Sequence, residues 1–155
     1  MAEDPRYRLL YEESVRALTD QQSALEQLRS RTGILLSALS ISTSFLGSLA
    51  LRSHHIGGFG WAALAAFVGA AILTCLILLP STWTFDVDVE QLLGAYIEAD
   101  PPAGLEEILR DLAFYRHETL LVNEPRIARL FLAFRSASIF LVLEVLAWLI
   151  DLIAR

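Results

Sequence analysis

The chain has 155 residues, of which 55% are hydrophobic, and its formal net charge is −6. This charge argues against electrostatic binding of nucleic acid, and the apolar share exceeds the roughly 45–50% of soluble domains. The apolar residues lie in three blocks separated by polar sequence, which predicts an all-α integral membrane protein with three transmembrane helices. We expect no enzyme, because no phosphate-binding loop, dinucleotide fingerprint or nucleophile elbow is present.

Residues 1–31 are predicted to form an amphipathic cytoplasmic helix, since positions 7–31 contain neither glycine nor proline. Four residues recur at intervals of seven, namely Tyr11, Leu18, Leu25 and Thr32. Together with Leu28 they form a weak heptad seam, which is typical of a helix that packs lengthwise against a partner. Nothing interrupts this helix before the first apolar block, so we expect it to continue into the membrane as a stalk.

Residues 32–79 are predicted to form a transmembrane hairpin. The first span covers residues 32–51, and about 20 helical residues cross a hydrocarbon core of about 30 Å. Its hydroxyl side chains step by three and four positions along one face, at Ser37, Ser40, Ser44 and Ser48. Such a stripe either hydrogen-bonds to a neighbouring helix or lines a wet pore, and both interpretations stay open.

The second span covers residues 61–79 and follows a glycine-containing loop at residues 52–60. Small side chains spaced along a spanning helix allow another helix to approach closely. The helix-packing residues predicted for this span are Ala62, Ala66, Gly69 and Ala70. We therefore expect a tight antiparallel hairpin.

Residues 80–126 are predicted to form a helical cytoplasmic insert. Asp86 or Asp88 is expected to cap its first helix, and the Asp-Pro-Pro sequence at residues 100–102 to end it. A second amphipathic helix follows from Leu105. A turn is predicted at Glu124 and Pro125, because the residue before a proline avoids the helical region.

Residues 127–155 contain the third span. Arginines crowd the beginnings of the first and third spans, and these predicted interface anchors are Arg29, Arg31, Arg126, Arg129 and Arg135. Short arginine-rich flanks stay in the cytoplasm. The predicted location is the bacterial inner membrane, with the N-terminus inside and the C-terminus outside.

Glu144 is the one acidic residue in the middle of the third span. A charge at the centre of a spanning helix costs about 2.5–3.5 kcal/mol, so this carboxyl group needs a polar partner. Its depth predicts a position near Ser44 and Ser48. Glu144 is therefore interpreted either as a pore-facing or proton-accepting group, or as a hydrogen-bonded residue that fixes helix packing.

No metal or cofactor is expected. His54 and His55 are adjacent and project in different directions, which does not suit zinc. Asp86, Asp88 and Glu90 would share a face, and could hold a hard cation, only in a strand, so we interpret them as capping and solvated residues of the following helix.

Two short strings, Leu-Arg-x-Arg-Thr-Gly at residues 28–33 and Ser-Phe-Leu-Gly at residues 44–47, sit in a characteristic order of elements. A charged N-terminal helix leads into a serine-rich span, a second span, a helical insert and a third span. This layout resembles small bacterial membrane proteins of the Pycsar-effector transmembrane (PycTM-like) and SLATT types. The resemblance implies a role in antiphage defence, in which a membrane effector impairs the inner membrane after a nucleotide signal.

Two functions remain open from the sequence. One is an oligomeric pore-forming or membrane-disrupting effector. The other is a non-conducting accessory or scaffolding subunit of a larger membrane complex. In both, the partners are the lipid bilayer, further copies of the chain, and a protein bound through the N-terminal helix or the insert.

Overall fold

The structure, a computed structural model, describes residues 5–51, 57–79, 94, 96 and 103–154. Three helices make up nearly all of this, namely α1 (Pro5–Leu51), α2 (Gly58–Leu78) and α3 (Leu105–Ile153). Over these ranges there is no strand, and each helix is long and apolar enough to cross a membrane. The predicted all-α class with three spanning helices is thus confirmed in outline.

Several predicted features lie outside the described residues. These are the cap at Asp86 or Asp88, the break at residues 100–102, and the histidines at positions 54 and 55. Within the predicted insert, the structure describes Gly94, Tyr96 and the chain from Ala103 onward.

The chain divides into two compact units. The first comprises Met1–Leu25 and Ser81–Ile127, and we call it the polar unit. The second comprises Glu26–Pro80 and Ala128–Arg155, and we call it the span unit. Both α1 and α3 contribute residues to each unit.

The heptad seam of α1 is its buried side. In the polar unit Leu18 and Leu25 are buried, and in the span unit Leu28, Thr32 and Leu39 are buried. Steps of three and four residues keep one edge of a helix facing a neighbour along its whole length. The helix is unbroken from Pro5 to Leu51, as the sequence predicts.

Pro125 does not end α3, so the turn predicted at Glu124 and Pro125 is wrong. A proline inside a helix removes one backbone hydrogen bond and costs about 3 kcal/mol. Pro125 and Leu121, whose carbonyl loses that bond, both lie on the exposed face, so the ring displaces no packed side chain. Ile127 is buried on the opposite face, and its packing offsets part of the local cost.

The ends of α2 follow from its flanking residues. Gly57 is the N-cap, with φ −71° and ψ 174°, and it offers no side chain to the helix. Leu79 adopts φ −55° and ψ 134°, the extended conformation favoured before a proline, and Pro80 comes next in the chain. The helix therefore ends at Leu78.

The buried face of α2 differs in part from the predicted packing face. Its buried residues are Gly60, Ala63, Ala70, Thr74 and Ile77. Ala70 is buried as predicted and Ala66 and Gly69 are half-buried, but Ala62 is exposed. A series with a spacing of four drifts by about 40° per step around a helix of 3.6 residues per turn, whereas successive buried residues are three, seven, four and three positions apart and stay on one face. Ala62 therefore lies outside the contact.

Within the span unit, α1 runs parallel to α3, and α2 runs antiparallel to it. Apolar side chains from all three helices meet in a cluster formed by Leu35, Leu39, Ala70 and Ala137. The contacts that define the directions are Thr43 with Glu144, Gly47 with Trp148, Gly60 with Asp151, and Gly69 with Phe140.

Candidate functional site

Glu144 lies inside the span unit with no exposed surface. The Thr43 hydroxyl of α1 donates a hydrogen bond to Oε1 of the carboxyl group. The indole of Trp148, one turn further along α3, is buried beside this carboxyl group. The group most costly to bury in the spans is thus bonded to another helix and surrounded by protein.

The predicted neighbours of Glu144 are not the observed ones. Thr43 takes the place expected for Ser44 and Ser48, both of which are exposed. Successive helical residues are rotated by about 100°, so Thr43 points into the unit while Ser44 points away from it. The level along α1 at which Glu144 makes contact agrees with the prediction, but the side of α1 that faces Glu144 does not.

The serine stripe faces outward along α1. Three of its hydroxyls donate to carbonyls of their own helix, Ser37 to Gly33 at 3.1 Å, Ser40 to Leu36 at 2.9 Å and Ser48 to Phe45 at 2.8 Å. An open groove of about 470 Å³ runs along this face, and its lining residues are Ser40, Ile41, Ser44, Phe45 and Ser48. The stripe therefore faces away from the buried Glu144.

Asp151 is a polar residue of the span unit that the sequence analysis missed. It is 3% exposed, and its Oδ1 accepts a hydrogen bond of 3.1 Å from the Gly60 backbone N–H. The first N–H groups of a helix lack internal partners and carry a partial positive charge. Since the N-cap Gly57 has no side chain, the carboxylate of α3 caps α2 across the interface.

A signal for this contact was present in the sequence. Gly57, Gly58 and Gly60 open the second span without any capping side chain, so its N–H groups needed an acceptor from elsewhere. A Cβ built on Gly57 would lie 2.3 Å from Asp151 Oδ1, whereas one on Gly58 meets nothing within 4 Å. Gly57 thus leaves room for the carboxylate.

Two further glycines lie beside aromatic rings of α3, at distances where an added Cβ would make an ordinary van der Waals contact. A Cβ on Gly47 of α1 would lie 3.6 Å from the Trp148 ring, and one on Gly69 of α2 would lie 3.5 Å from Phe140. Gly69 was predicted to pack against the first span. Its observed partner is the third span, because the α2 backbone approaches the Phe140 ring there.

The predicted anchor arginines lie on outer faces. Arg31, Arg126, Arg129 and Arg135 are exposed, while Arg29 is half-buried and its Nε has no hydrogen-bond partner. Exposed arginines on long apolar helices can extend toward a membrane surface, and their role as anchors stays a prediction.

The polar unit joins α1 to α3 through mixed contacts. The Arg116 guanidinium lies 5.0 Å from the centre of the Tyr11 ring, and Gln21 donates a 3.2 Å bond to the Leu120 carbonyl. Asn123 is fully buried, and neither atom of its amide has a partner. The Tyr96 hydroxyl bonds to Asp111 at 3.1 Å, and burial together with this carboxylate raises the pKa of Tyr96.

No cluster of three or more metal-ligand side chains occurs among the residues that the structure describes. Cys75 is exposed on α2, and the other candidate ligands at positions 54, 55, 86, 88 and 90 lie outside the described ranges.

Comparison with known proteins finds no matching family model, curated protein or solved structure.

Proposed function

We propose that this chain is a membrane-embedded structural subunit that assembles into a complex without conducting ions. The observation that carries the proposal is the position of Glu144, which is fully buried in the span unit of one chain and bonded to Thr43. A carboxyl group enclosed in this way supports a role in helix packing rather than in lining a pore. Asp151, the other buried acid of the spans, also contacts a neighbouring helix.

The test is to reconstitute the purified protein into liposomes and measure both its mass and its ion flux. We expect an oligomer that leaves a potassium gradient intact. Thr43→Val and Glu144→Ala should each lower the resistance to unfolding, because each removes one partner of the bond, and the double variant should lose less than the two single losses combined. Ion flux through the wild-type protein that Glu144→Gln abolishes would overturn this function.

The second candidate is a pore-forming effector of bacterial defence, as the family resemblance implies. It is favoured by the groove along Ser40, Ser44 and Ser48 on the outer face of α1. If several copies turned this face toward a common axis, their hydroxyls would line a wet path. Under this alternative, expression should collapse the membrane potential reported by a voltage-sensitive dye. Ser44→Leu should prevent the collapse, and Cys75→Leu, at an exposed position of α2, should not.

The orientation is proposed from the arginine flanks, with the N-terminus inside and the C-terminus outside. An alkaline phosphatase fused after Arg155 should be active, and a reporter that works only in the cytoplasm should be silent there. The reverse pattern would contradict both the orientation and the assignment of the polar unit to the cytoplasm.

A further inference from the structure

A groove of about 380 Å³ opens between α1 and α3 of the polar unit. Most of its lining is apolar, and the lining residues are Leu10, Glu13, Ser14, Ala17, Ala113, Phe114, His117 and Leu120. Glu13 comes from α1 and His117 from α3, so an acceptor and a donor stand on opposite walls. We propose that this groove packs face to face against the same groove of a second copy of the chain. This inference rests on the assembly function proposed above.

Apolar exposure at the groove gives the first reason. Phe114 is 63% exposed and Leu10 is 49% exposed, although the polar unit contributes none of the predicted spans. Neighbouring large apolar side chains that stay exposed outside a membrane mark an interaction surface. Both side chains line the groove itself, so a second copy packed against the groove would cover them.

Symmetry gives the second reason and identifies the partner. Copies inserted in one membrane share an orientation, so the two-fold axis that relates two of them follows the membrane normal. In the polar unit α1 and α3 run parallel, since Tyr11 contacts Arg116 and Gln21, further along, contacts Leu120. Two such grooves placed face to face set α1 of each copy against α3 of the other.

This arrangement pairs the charges. Glu13 of one copy faces His117 of the second copy, and the same pair repeats on the other side of the axis. The imidazole N–H donates to the carboxylate in both pairs. The groove is therefore self-complementary in charge as well as in apolar surface, which is the requirement for a two-fold contact.

The test uses two full-length variants with different affinity tags, Glu13→Arg and His117→Glu, co-expressed in one membrane. In a pair of Glu13→Arg chains, each introduced arginine faces His117, so both contacts lose their attraction. In a pair of His117→Glu chains, each introduced glutamate faces Glu13, so both contacts become repulsive. In the mixed pair both contacts are complementary. We expect mixed pairs to be enriched over random pairing by on the order of fivefold, from two exposed charge contacts. A contact inside one chain would produce no such enrichment.

Controls separate this inference from the proposed function. Glu118→Arg is an exposed change outside the groove and should leave pairing random. Phe114→Ala should weaken self-association of the otherwise normal chain, whereas Leu121→Ala should not. Random pairing of the charge variants, with wild-type oligomers intact, would overturn the groove as the interface and leave the assembly function standing. A wild-type monomer in liposomes would overturn both.

Discussion

Gly57→Ala tests whether α3 caps α2. The new Cβ would lie 2.3 Å from Asp151 Oδ1, far inside van der Waals contact, so the carboxylate must move away from the Gly60 N–H. The adjacent change Gly58→Ala supplies a matched control, because a Cβ there meets nothing within 4 Å. The two variants differ by one position and add the same methyl group.

The expected magnitude follows from the bond that is lost. Hydrogen bonds to charged groups contribute about 1.5–3 kcal/mol in water, and loss of an N-cap costs about 0.5–2 kcal/mol. Interhelical bonds inside membranes average about 0.6 kcal/mol, with a maximum near 1.7. We therefore expect Gly57→Ala to lower the free energy of unfolding by about 1–2 kcal/mol. Gly58→Ala should be neutral or stabilising by up to about 1 kcal/mol, because alanine favours helix.

The assay is reversible unfolding by SDS in mixed micelles, followed by circular dichroism. Asp151→Ala should cost about as much as Gly57→Ala. Once Asp151 is replaced, Gly57→Ala has no carboxylate to displace and should cost almost nothing more. If Gly57→Ala lowered the free energy of unfolding equally in the wild-type chain and in the Asp151→Ala variant, Asp151 would not cap α2.

Three further predictions concern other contacts. Ala63→Leu should destabilise the span unit by about 1–3 kcal/mol through overpacking, whereas Ala62→Leu, on the exposed face, should be nearly neutral in the same SDS assay. Equal costs would contradict the observed packing face. Pro125→Ala should stabilise α3 by up to about 3 kcal/mol and raise its helicity, and a loss of stability would mean that the proline is needed there. Asp111→Asn should lower the pKa of Tyr96 toward its ordinary value of about 10, seen by absorbance titration against Tyr96→Phe. Because the pKa of Tyr96 is higher in the folded chain than in the unfolded chain, its contribution to stability is fully present below about pH 10. This contribution should be lost as the pH rises through the raised pKa of the folded chain.

The long elements were predictable because their signals repeat. Three apolar blocks and a seven-residue recurrence in α1 suffice to place the spans and the buried edge that contains Leu18, Leu25 and Leu28. Such periodicity sums over many residues, so single exceptions do not erase it. Pro125 is such an exception, because its local cost is visible in the sequence whereas the burial of Ile127 on the opposite face is not.

The site was harder to predict because it depends on rotation and on distant pairs. Thr43 and Ser44 are adjacent and chemically similar, yet only the first reaches Glu144. Depth along a span can be counted, but the angle around its axis is set by packing partners. Asp151 and Gly60 are 91 positions apart, and no local pattern connects them.

The parallel pairing of α1 with α3 also has a consequence for biogenesis. Thr43 and Glu144 are separated by 101 positions, so α1 reaches the bilayer long before its partner has been synthesised. Until α3 emerges from the ribosome, the inner edge of α1 faces lipid or the insertion machinery with its hydroxyl unmatched. The contact between α1 and α3 therefore forms only after nearly the whole chain has been synthesised, and a chain that ends before α3 lacks the acceptor for the Thr43 hydroxyl.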